Sequence, residues 1–341
     1  MKNVLSFNIP FSGFNNLTFS NCFASVYMFL ENIAGVSENE CAAKNDKNCN
    51  GCGHCKNSAY YFLFDTICGR SSMRPTFDAT PPDCDGTPES IHFILGFAGW
   101  GYAISTTDFP RKIQDSIDAG RPVIARMKDG ANGAFRVLIG YDNGSLIMAA
   151  PKNAQQSPSQ APTYDDIADI IVFTGKKERE YRLLDALRRI EQVIESNIGH
   201  WDGTIQKFKY WPENLKDADF EELKRRFKRA CEMAWYNFNC HNFAEVFRHR
   251  IIDELKDSRL DGYNNLCRPG GGGAVDRVYD DSHTRNWQII ALYECRDWSS
   301  RRYHELEWGM CESVVQCLER LKDNDTEVLA AVREAIRILQ A

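Results

Sequence analysis

Cys22 ends the segment "NLTFSNC" and opens the segment "CFASVYMFLENI". A thiol so placed has the setting for nucleophilic chemistry. Phe23, Val26, Tyr27, Leu30 and Ile33 recur along one helical face, so a helix is expected to begin at or just before Cys22. A helix N-terminus carries partial positive charge and unpaired N–H groups. Both favour a thiolate, and the same N–H groups can hold a developing oxyanion. The competing reading makes Cys22 one more buried thiol in a chain with 13 cysteines.

The second group of chemical interest is "CAAKNDKNCNGCGHCKNS", with Cys41, Cys49, Cys52 and Cys55. Its centre is C-x2-C-x2-C on a Gly-rich turn, which can aim several sulfurs at one metal. The fourth ligand is open among Cys41, His54, Cys68 and Cys84; Cys41 completes the preferred set. Zinc in a structural role is the simplest occupant. An iron–sulfur cluster accepts the same spacing, and a reduced loop without metal is the plain alternative. Cys231, Cys240, Cys295, Cys311 and Cys317 lie among apolar or aromatic neighbours and read as small buried hydrophobes.

The elements around these groups change character near residue 176. "RPVIARMK" reads as a strand. "AFRVLIGYDNGSLIMAAP" reads as a hairpin turning at Asn143-Gly144. "IADIIVFTG" reads as a buried strand. "SIHFILGFAGW" and "FPRKIQDSIDAG" read as helices, the second capped at Gly120. "FDTICGRSSMRPTFDATPPDCDG" (64–86) reads as an irregular polar loop in which Arg70, Ser71, Ser72 and Arg74 can line a cleft beside Cys22. From Lys177 onward the pattern is helical, with Leu183, Leu184, Leu187, Ile190 and Ile194 on one face. "RPGGGGAVD" interrupts it. The fold class is therefore α+β, with an antiparallel sheet in residues 1–176 and an all-helical domain in 177–341.

At 341 residues the chain has room for two domains of about 100–200 residues each. Its formal charge of −6 argues against a general binder of nucleic acid or anionic membrane. No window of about 20 residues is free of charges and turn formers, so no membrane span is expected. The first ten residues are too short and polar for a secretory signal. The protein is read as cytoplasmic, where 13 cysteines do not form a disulfide framework.

The segment around Cys22 resembles the nucleophile region of papain-like proteins related to bacteriocin-processing peptidases. Most of the chain resembles the butirosin biosynthesis protein H family: cysteine-helix, helices, hairpin sheet, then helical bundle. That resemblance implies a papain-like domain followed by a helical one. It also implies acyl transfer from a carrier-protein thioester to an amine, in small-molecule or peptide natural-product metabolism. The relatives' oxyanion-supporting Gln corresponds to Asn16, whose amide donates the same kind of hydrogen bond one methylene short. The backbone N–H of Cys22 would be the second donor.

The chain departs from the family pattern at two positions. The family's base, a His at the start of a strand, matches Ala134 in "GAFRVLIGYDNG". Its Asp before a Pro matches Ala150 in "LIMAAP". Arg136 is left as an electrostatic partner for a thiolate, since a guanidinium does not shuttle protons at neutral pH. His200 and His241 are the substitute bases to consider, while His92, in an apolar helical context, reads as a core or interface residue. The expected substrate is a small-molecule or peptide acyl group, carried by an acyl carrier protein where the family mechanism holds. The alternative is a catalytically degenerate papain-like protein that binds a peptide, acyl carrier or protein partner. The helical half would be the interface of any homo-oligomer.

Overall fold

The structure is a computed structural model. It describes residues 2–9, 18–33, 56–68, 87–128, 135–149, 163–210, 253–260 and 308–341, together with residues 221, 281 and 284. The described chain is mixed α and β, with an antiparallel sheet and a long C-terminal helix. It divides between Arg182 and Leu183 into two compact units. The change of composition at 176 coincides with the end of the last strand. The chain nevertheless stays with the first unit through Arg182, because Lys177 N–H donates to Gly99 O and Glu180 N–H to Gly96 O.

Among the described residues the first unit has six strands: β1 (Lys2–Val4), β2 (Trp100–Ser105), β3 (Val123–Met127), β4 (Phe135–Asp142), β5 (Ser145–Met148) and β6 (Ile167–Lys176). Their order is β1-β4-β3-β6-β2, with β5 paired to β4, and every pairing is antiparallel. The β4–β5 turn has positive φ at Asn143 and Gly144, as a two-residue hairpin requires. Gly140 is needed for a different reason. A Cβ there would lie 2.6 Å from Asn3 O, where β1 crosses β4.

Helices cover both faces of this sheet. On one lie α1 (Phe19–Leu30) and α2 (Lys56–Cys68). Phe23 of α1 is fully buried, packs edge-on to Phe64 of α2 at 4.7 Å and stacks on Phe173 of β6 at 6.1 Å. Burying such a ring stabilises by about 1.5–3 kcal/mol. On the other face α4 (Phe109–Asp118) presents Ile113 and Ile117 to Val123, Leu138 and Ile170. The helix α3 (Pro88–Ala98) starts at Thr87, whose hydroxyl accepts from Ser90 N–H, with Pro88 at its first position.

Three expectations are corrected. The α3 helix stops at Ala98 rather than running to Trp100, because Gly99 takes φ 73° and Trp100 begins β2. Residues 64–68 belong to α2, not to an irregular loop. Every described α2 side chain from Ala59 to Ile67 is buried, so the segment lacks the polar stripe that marks a surface helix. The strands β1 and β2 were not anticipated; both are short, and β2 breaks the alternation with Ala103 and Ile104 exposed side by side.

The second unit contains α5 (Leu183–Lys209) and α6 (Trp308–Gln340). The two run antiparallel: Arg333 pairs with Glu191 and Glu195, Lys322 with Asp202, and Lys209 with Glu319. Leu187, Ile190 and Ile194 are buried on α5, as are Leu318, Leu321 and Val332 on α6. Leu184 is only partly buried, at the margin of the expected face. Among the described residues no helix is long and apolar enough to cross a membrane.

Candidate active site around Cys22

The helix α1 begins at Phe19, three residues before Cys22. Thr18 is its N-cap: the hydroxyl accepts from Asn21 N–H at 3.2 Å. Cys22 is thus the fourth helical residue, and its N–H donates to Thr18 O at 3.1 Å. This corrects the expected role of that N–H. A helix of this length leaves its first N–H groups unpaired by backbone, and Cys22 is the first residue past them. Its N–H is committed to the helix and is not offered to an oxyanion. The side chain is buried, with 1% of the residue exposed, and the thiol is reduced.

The helix packs against β4 and β3. Phe19 meets Phe135, the first residue of β4, edge to face at 5.6 Å. That contact anchors the Cys22 end of α1 at the start of β4, where Arg136 sits. Strand alternation directs the Arg136 Cβ away from the Phe135 face. Its long side chain folds back, and Nη1 donates to Phe135 O at 2.9 Å. Burial lowers the pKa of the guanidinium, and the charge of a Cys22 thiolate raises it. Cys22 and Arg136 are therefore within electrostatic reach of each other, and a cation so placed favours the ionised thiol.

Asn16 lies outside the described residues, as do Ala134, Ala150, Pro151 and His241. Arg70, Ser71, Ser72 and Arg74 also lie outside them, and so do Cys41, Cys49, Cys52 and Cys55. The His200 side chain is not described. Among the described residues no group of three or more His, Cys, Asp or Glu side chains is arranged to hold a metal.

Of the two readings of His92, core or interface residue, the core one is corrected. Its side chain is 49% exposed, with Nε2 3.3 Å from Glu180 Oε1 and Nδ1 3.4 Å from the Tyr102 hydroxyl. Burial and then the Glu180 charge raise the Tyr102 pKa. The apolar positions of α3 face the core, and His92 falls on the outer side of the same helix. It belongs to a surface group on α3, β2 and the chain after β6, not to the Cys22 site.

Sequence reasoning passed over Arg126 and Asp169, which form a two-pronged ion pair on neighbouring strands, with Nε 2.7 Å from Oδ2. The cross-strand register Arg126↔Asp169 is the signal that only the paired sheet reveals. No protein-family model matches the chain, and neither a curated protein nor a solved structure matches it.

Proposed function

We propose that the first unit is a papain-like domain, similar to the butirosin biosynthesis protein H family, and that Cys22 is the nucleophile of an acyl transfer. What supports this reading is the packing of the Cys22 end of α1 against the start of β4, where Phe19 meets Phe135 and the cationic Arg136 follows. In the proposed reaction the Cys22 thiolate attacks the carbonyl carbon of a thioester donor. A new C–S bond forms, and the donor's C–S bond breaks to release its thiolate. An amine then attacks the Cys22 thioester. The C–N bond forms, the C–S bond to Cys22 breaks, and the amine proton leaves to solvent. Arg136 balances the thiolate in both its attacking and leaving forms and takes no proton. A thioester suits a site without an assigned base, because its leaving thiolate needs little protonation. Asn16 supplies an oxyanion donor by resemblance alone.

A second reading is a papain-like fold that binds a peptide, acyl carrier or partner without turnover. The burial of Cys22 and the commitment of its N–H to Thr18 O favour it. The two readings separate on one experiment. The full-length protein is incubated near neutral pH with the acetyl thioester of N-acetylcysteamine, and acylation is mapped by peptide mass. Acyl transfer predicts loading at Cys22 well ahead of Cys317, the other described buried thiol, slowed by Arg136→Met and absent in Cys22→Ala. Equal, slow loading of both thiols would favour the binding reading.

The cysteine-rich segment is proposed to hold a structural zinc through Cys41, Cys49, Cys52 and Cys55. The support is the C-x2-C-x2-C spacing on a Gly-rich turn.

A further inference from the structure

At the other end of α1 from Cys22, an open cavity of ≈ 350 Å³ lies in the first unit. Ten residues of helix and turn separate Cys22 from Asn32, about 15 Å along the axis, so this is a second place on the molecule. Phe29 and Leu30, from the last turn of α1, form one wall, and Trp100, from the start of β2, forms another. Arg121 enters from the loop that joins α4 to β3.

Arg121 is held there by its backbone. Gly120, at φ 78°, ends α4, with its N–H donating to Ile117 O and that of Arg121 to Ser116 O. Arg121 O in turn accepts from the Ser116 hydroxyl at 3.0 Å. The side chain is a different matter. Its Nε is buried and has no hydrogen-bond partner among the described residues. Glu31, which follows the wall residue Leu30 in the chain, is taken: Oε1 accepts from Trp100 Nε1 at 2.8 Å, and Oε2 meets Lys176 Nζ at 2.6 Å. A partly buried cation without a carboxylate partner is costly to keep, and an anion seated against its accessible end would offset that cost.

We propose that this cavity binds a small monocarboxylate with an apolar tail. Arginine's planar guanidinium matches a carboxylate through two parallel hydrogen bonds. Phe29, Leu30 and Trp100 offer apolar surface for a tail of a few carbons. The volume is at the small end of ligand sites, which limits the ligand to metabolite size. The site does not depend on the Cys22 chemistry and would stand if that reading failed.

The test is titration calorimetry of the full-length protein with hexanoate, and with hexylammonium, hexanol and acetate as comparison probes. Saturable hexanoate binding, with the other three weaker by roughly tenfold or more, is the expected result. Arg121→Gln should weaken hexanoate by a similar factor, Arg121→Lys by less, and Cys22→Ala not at all. Leu30→Glu leaves Arg121 in place but puts a carboxylate into the cavity, and should also abolish hexanoate binding. That variant keeps the proposal falsifiable if Arg121→Gln does not fold. Equal binding of hexanol and hexanoate would overturn the proposal, as would no hexanoate binding. So would wild-type affinity in Leu30→Glu, or in an Arg121→Gln protein that merely melts earlier through loss of a favourable charge at the end of α4.

Discussion

Trp201 and Asp325, 124 residues apart in sequence, meet in a buried hydrogen bond: the indole Nε1–H of α5 donates to Asp325 Oδ2 of α6 at 2.7 Å. Both residues are fully buried. Removing one partner leaves a desolvated polar group behind, at a cost of about 1–3 kcal/mol. Asp325→Ala is therefore expected to lower the second unit's unfolding free energy by that amount in urea. Trp201→Phe, which removes the donor but keeps most of the ring volume, should cost a comparable amount. The double variant should lose less than the two single losses together. Additive losses would show that the bond is not what couples the helices.

Gly140 tests the sheet. Its absent Cβ is replaced in space by the Asn3 carbonyl, a backbone atom that cannot swing aside. Gly140→Ala should destabilise the first unit by about 1–3 kcal/mol through forced separation of β1 from β4. Hydrogen exchange should show the amides of β1 losing protection first. Unchanged protection in β1 would contradict the close crossing.

Asp118 predicts an acid limb. Its carboxylate accepts from the Asn3 amide at 2.6 Å and from the Tyr141 hydroxyl at 2.8 Å. These two bonds, Asn3's first, hold its pKa below the ordinary carboxylate value. A depressed folded-state pKa means that the stabilisation is complete above the unfolded value, about 3.9, and is lost as pH falls through the lower folded value. Asp118→Asn should thus lower the melting temperature at neutral pH and narrow the gap to wild type below about pH 3.9. A gap that stays constant down through that range would show that the carboxylate's charge is not involved.

The zinc proposal predicts metal in the purified protein. Elemental analysis should find about one zinc per chain. The metal should be lost from a Cys49→Ser, Cys52→Ser double variant, with lower thermal stability in that variant. Protein prepared without chelator that holds neither zinc nor iron would end the proposal.

What could be read in advance follows from how each element is buried. The β4–β5 hairpin was legible because Asn143-Gly144 names its own turn type, and β3 and β6 because runs of Val and Ile between turn residues are strand-like. The α5 face was legible because one side of that helix is wet. In contrast α2 is apolar nearly all round, so its period is invisible. The start of α1 was legible to within a turn: Thr18 caps the helix, Phe19 opens it, and Cys22 lies in its first turn. At the candidate site, Cys22 and Arg136 were identified by type and resemblance, but their proximity depends on α1 lying across the start of β4. Arg121 carried no sequence signal at all. It was read as the first residue of the strand "RPVIARMK", whereas β3 begins at Val123 and Arg121 lies in the loop before it.

The pairing of β1 with β4 has a consequence for how the chain is made. Lys2 finds its partner in Asp142, 140 positions later. A ribosome adding about 5–20 residues per second needs roughly 7 to 28 seconds to cover that distance. During that time β1 has no strand to join, and β3, which needs β4 and β6, is equally alone. The helices α1 to α3 are made in the interval and can condense with one another, but the platform they cover arrives only afterwards. The Cys22 end of α1 is therefore finished late: its environment is complete only when Phe135 and Arg136 have left the exit tunnel.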